Sequence, residues 1–221
     1  MFDKSRSLRE TAIFYLQKAN CDVAALCREG LSEDRDSLPA LSSLANCGDE
    51  SDLQTLHGYL TAPFASRRAE AVRGIGQIGG KADHDKLILM LLDESTRVVR
   101  AAHQQLQPDA LSIDADQLYS LIENCNTIAG RRAILNLLIE QGRWRSLSYL
   151  VRASASPDEA LAELAVESIR YIFSLNRNFT QPSANQKQKI QQAINKSKLS
   201  WDADFTQELR RCLSSFGFTL E

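Results

Sequence analysis

The chain repeats itself about every 31 residues: the apolar residues Leu44, Ile75, Leu106, Leu138 and Ile169 follow one another at intervals of 31, 31, 32 and 31. Three positions before these anchors stand Leu41, Val72, His103, Leu135 and Val166, preceded by Ala40, Ala71, Ala102, Ile134 and Ala165. A small residue there lets two helices approach closely. Four positions after three of the anchors come Gly48, Gly79 and Gly142, where a helix is expected to end in a left-handed cap; Pro108 follows Leu106 by two. A second apolar stripe opens with Leu56, Leu87, Leu118 and Leu150 and continues through Leu60, Leu91 and Ile122. Its helical spacing makes each unit a pair of helices.

Paired amphipathic helices at this period bury their apolar faces by stacking on neighbours, which defines an α-solenoid. The class is therefore all-α: no stretch alternates apolar and polar residues long enough for a strand, and 43% of the residues are apolar, enough for a stacked core. The uninterrupted repeat predicts one continuous domain in three stretches. Residues 1–31 form an N-terminal helical cap or degenerate repeat, since Ile13 precedes Leu44 by 31 and Leu8, Ala12, Ile13 and Leu16 share a helical face. Residues 32–175 carry the repeats. Residues 176–221 hold a loop, Asn176 to Ser183, and two capping helices, one with Ile190, Ala193 and Ile194, the other with Trp201, Phe205, Leu209, Cys212 and Phe216.

The segment from Arg67 to Gly79, with Val98, Val99, Arg100, Ala101 and Ala102 one period later, resembles the short bacterial HEAT-like repeats also found in phycobilin lyases. The resemblance spans residues 32 to 175 and implies a superhelix of about five two-helix repeats, capped by helices at both ends. It also implies that the second helix of each unit lines a concave face. Counted from the anchors, that face carries Ser51, Asp52, Gln54 and Thr55, then Asp83, Asp85 and Lys86, then Asp114, Asp116 and Gln117, then Arg145, Ser148, Tyr149 and Arg152.

No catalytic constellation is present. His57, His84 and His103 fall in different units without ligand spacing, and the Gly74, Gly76, Gly79, Gly80 run follows no strand, as a nucleotide fingerprint would require. The five cysteines, Cys21, Cys27, Cys47, Cys125 and Cys212, include no CxxC pair, so they read as small buried hydrophobes without disulfide or zinc. Neither a cofactor nor a metal is expected. The N-terminus lacks the apolar run of a signal peptide and no stretch of about 18 apolar residues could span a bilayer, which points to a cytoplasmic protein.

Charge is uneven although the net value is only −2. Residues 32–63 hold six acids against one base, and residues 178–199 hold four lysines and no acid. Asp52, Asp83 and Asp114 recur at the period itself and sit where carboxylates would cap second helices. In the fourth unit Trp144 and Tyr149 stand among Arg143, Arg145 and Arg152, with Arg145, Tyr149 and Arg152 on one helical face. Arginine and aromatic residues dominate binding energy at interfaces. The expected function is a non-enzymatic scaffold or adaptor gripping a protein partner through Arg145, Tyr149, Arg152 and Trp144, with Lys86 and Asp114 as neighbouring contacts. Two alternatives rest on resemblance: a nucleic-acid-binding protein similar to alkylpurine DNA glycosylases, and a bilin lyase-like accessory protein. The acidic positions of the same face argue against a polyanion.

Overall fold

The computed structural model describes residues 3, 5–175 and 180–220. Asn176, Arg177, Asn178 and Phe179, half of the expected loop, lie outside the described residues. Among the described residues every regular element is helical. Contacts divide the chain into two compact units, 1–108 and 109–221.

The first unit contains α1 (Arg6–Lys18), α2 (Val23–Glu33), α3 (Leu38–Cys47), α4 (Leu53–Gly58), α5 (Ala65–Ile78), α6 (His84–Leu89) and α7 (Thr96–Leu106). Helix α5 packs between α3 and α7. The anchors Leu44, Ile75 and Leu106 fall one each in α3, α5 and α7 and are fully buried, as are Ala40, Ala71 and Ala102. Gly74 shows how close the helices come: a methyl group there would lie 3.0 Å from the Ala45 backbone.

The glycines that close these helices act differently from expectation. Gly48 and Gly79 have φ of −70° and −74°, so neither is left-handed. Each is instead required by crowding. A Cβ on Gly48 would meet Leu44 O at 2.7 Å and Asp52 Oδ2 at 2.8 Å, and one on Gly79 would meet Ile75 O at 2.6 Å and Asp83 Oδ2 at 2.7 Å. Both carboxylates fold back over the end of the preceding helix. Asp52, 3% exposed, accepts Arg28 Nε at 2.8 Å and the Asp49 amide at 3.0 Å. Asp83, 6% exposed, accepts Lys86 Nζ at 2.8 Å and lies 2.9 Å from His57 Nε2. Neither carboxylate accepts an amide of the helix it precedes and both are buried, so the expectation that Asp52 and Asp83 cap second helices and lie open on a binding face is corrected.

A buried pair ties α5 to the turn before α7: Arg68 Nε and Nη2 donate to Asp93 at 2.7 and 2.9 Å, while Nη1 donates to Ala62 O and Pro63 O. At the N-terminus, α1 packs on α3 with Ile13 buried but Leu8 58% exposed. Arg9 turns inward in its place, donating to Ser42 Oγ at 3.0 Å.

The second unit contains α8 (Ala115–Ile122), α9 (Ile128–Glu140), α10 (Arg143–Ala153), α11 (Glu159–Ser174), α12 (Ala184–Ser197) and α13 (Ala203–Leu213). Helix α9 packs on α8, α10 and α11, and α10 also packs on α12. Leu118, Leu138, Leu150 and Ile169 are buried, and Thr127, Asp158, Ser183 and Asp202 cap their helices by accepting a backbone N–H. The Asp202 cap starts α13 after Trp201, and the helix stops at Leu213, so the expected helical stripe from Trp201 to Phe216 overruns α13 at both ends.

Of the cysteines, Cys27 and Cys125 are buried, Cys47 and Cys212 are half-buried and Cys21 is exposed. Exposure removes Cys21 from the expected set of core residues.

Candidate functional site in the second unit

Helix α10 begins at Gly142, whose φ of 97° turns the chain sharply out of α9. That turn sets the face carrying Arg145, Tyr149 and Arg152. All three reach toward α8 and the turn before it. Arg145 Nη1 donates to Leu111 O at 3.2 Å, Tyr149 Oη donates to Asp116 Oδ1 at 2.8 Å, and the Arg152 guanidinium lies 4.2 Å from the centre of the Tyr119 ring. The Tyr119 and Tyr149 rings meet at 5.5 Å. The two arginines are exposed, whereas Tyr149 is 7% exposed.

Trp144 faces the interior. Its indole N–H donates to Thr180 O at 2.6 Å, and its ring lies 4.6 Å from Phe216 and 6.1 Å from Phe218. The Arg143 guanidinium stands over both Trp144 and Phe173. Trp144 therefore anchors the end of the chain and offers little surface.

Between α8, α10 and α12 lies a cavity of about 230 Å³. It brings together four of the sequence candidates, Asp114, Trp144, Arg145 and Tyr149. Asp116 and Ser148 also line it, as do Asn185, Gln186 and Lys189 of α12. Each helix contributes residues from its first two turns. Asp114 is held as the α8 cap, accepting the Asp116 amide at 2.8 Å. A second cavity of about 550 Å³ shares Trp144, Arg145 and Gln186 and extends toward Gly142 and Leu175.

Burial and the Asp116 carboxylate push the Tyr149 phenol up to about 12. Among the described residues, no serine, cysteine or histidine in either cavity's wall is paired with a base.

Two sequence candidates stand apart from the cavity. Arg152 lies beyond its wall, on Tyr119. Lys86 belongs to the first unit, where it is engaged by Asp83. Conversely, Asn185, Gln186 and Lys189 carry no pattern that singles them out. The lysine-rich stretch after residue 178 marks α12 as basic, but only packing sets Lys189 beside residues about forty positions earlier.

Among the described residues, no group of three or more His, Cys, Asp or Glu side chains could hold a metal ion, and no helix is long and apolar enough to cross a membrane. No protein-family model matches the chain, and no curated protein matches it.

Proposed function

We propose that this chain is a cytoplasmic, non-enzymatic scaffold, a solenoid of about five two-helix HEAT-like repeats, that holds a protein partner at the α10 cleft. The observation that carries this reading is the composition of the cleft wall: Arg145 and Lys189 line a cavity that Asp114, Asp116 and Tyr149 also line. Opposite charges beside an aromatic residue suit a polypeptide segment, which carries both donors and acceptors. At about 230 Å³ the cavity suits a few side chains of a partner better than a free-standing cofactor. The acids of α8 oppose a run of phosphates, which disfavours nucleic acid.

The test is co-purification from the source cells with wild type and with an Arg145→Glu, Lys189→Glu variant, followed by cross-linking to map contacts. One stoichiometric protein, cross-linked at α10 or α12 and lost with the variant, supports the proposal. Recovery of nuclease-sensitive nucleic acid instead, lost with the same variant, would overturn it in favour of a nucleic-acid-binding role.

A further inference from the structure

The five thiols are not equivalent, and two of them meet. Cys27, in α2, and Cys47, the last residue of α3, place their sulfur atoms 3.9 Å apart across the interface between these helices. Twenty residues separate them in sequence, so the pairing is a product of helix packing. A disulfide holds its sulfurs about 2 Å apart. The remaining approach is small: Cys47 is the last residue of α3, and among the described residues its thiol meets Ser43 O at 3.1 Å besides Cys27. The two sulfurs also differ in access. Cys27 is fully buried, whereas Cys47 is half-buried.

We propose that Cys27 and Cys47 form a reversible dithiol–disulfide site that reacts with hydrogen peroxide, Cys47 being the attacking thiol and Cys27 the resolving one. In the first step the Cys47 sulfur attacks one peroxide oxygen. An S–O bond forms, the O–O bond breaks, and the departing hydroxide takes the thiol proton and leaves as water. In the second step Cys27 attacks the Cys47 sulfenic acid. The S–S bond forms, the S–O bond breaks, and hydroxide leaves with the Cys27 proton as a second water. Two thiols are oxidised by two electrons and one peroxide is reduced to two waters.

The surroundings favour this division of roles. The contact between the two thiols draws Cys47 below the ordinary cysteine range, and the same contact together with burial pushes Cys27 up. The Arg28 guanidinium, next in sequence to Cys27, already clamps α2 to Asp49 and Asp52 just beyond Cys47. The disulfide would add a covalent link at the same junction, so oxidation should tighten the α2–α3 contact.

The test uses the intact chain, folded, with hydrogen peroxide as the probe. Peptide mapping should show a single new cross-linked species joining the Cys27 and Cys47 peptides, two mass units lighter than the sum of the reduced peptides and reversed by dithiothreitol. In the Cys27→Ser variant, Cys47 should stop at a sulfenic acid that dimedone traps. The oxidised wild type should melt several degrees higher than the reduced form. The proposal is overturned if the folded wild type gives no linkage between these two peptides, if it links only after denaturation, or if Cys21 or Cys212 is consumed first. The wild-type map decides the matter even where a variant folds poorly.

Discussion

Tyr149 donates its phenolic hydrogen to Asp116 across 2.8 Å, joining α10 to the first turn of α8 at the wall of the candidate site. With its hydroxyl so placed, the phenol titrates at about 12 rather than near 10, first because it is buried and then because ionisation would set two negative charges side by side. A folded-state value above the unfolded one gives stability that is fully present below about pH 10 and is lost as pH rises toward 12, about 3 kcal/mol in all. Denaturant unfolding followed up to about pH 11.5 should therefore fall more steeply for wild type than for Tyr149→Phe. Equal slopes would show that Tyr149 ionises as readily as a solvated tyrosine.

The Arg68–Asp93 pair is buried on both sides, with side-chain exposures of 10% and 6%. Asp93→Ala takes the paired carboxylate from Nε and Nη2 and should destabilise the fold by about 3 kcal/mol. Replacing both partners by apolar residues of similar volume, as in Arg68→Met with Asp93→Leu, should recover much of that loss. Urea unfolding of the single and double variants beside wild type measures both effects.

Gly48→Ala and Gly79→Ala should each cost about 1–3 kcal/mol, because the added methyl group meets a helix carbonyl and an aspartate oxygen below 3.0 Å. The open position Gly80 is the control, since a methyl group there would meet no atom within 4 Å. Thermal melts of the three alanine variants should separate the first two from the third.

Asp83 is held below the usual carboxylate range, chiefly by the Lys86 ammonium and further by His57. A depressed folded value means that its contribution is present above about pH 4 and disappears as pH falls through that lower value. The acid limb of the stability curve should be shallower in Asp83→Asn than in wild type, and Lys86→Met should flatten it in part. An unchanged limb in both variants would place the acid sensitivity elsewhere.

The repeat made the helical fold legible because burial imposes the same demand once per helix: Leu44, Ile75, Leu106, Leu138 and Ile169 are each buried in a separate helix, as their spacing required. Of the three aspartates at the period, Asp114 accepts an amide at the start of its helix as expected, whereas Asp52 and Asp83 stand at helix starts but turn their carboxylates back toward Gly48 and Gly79. Pattern also selected Arg145 and Tyr149, which share one face of α10. What it could not reach were relations between helices. Whether Gly48 serves a left-handed turn or makes room for Asp52 depends on a carboxylate folded back in space, and Leu8 and Arg9 exchange inside for outside according to what α3 presents.

The sequence by itself determined that the chain is helical and which periodic anchors are buried, because those depend on spacing along a single helix. Only the tertiary structure decided that Lys189 joins Arg145 at one cavity and that Cys27 meets Cys47. Both depend on which side chains the packed helices bring within a few ångströms, a distance that separation along the chain does not encode.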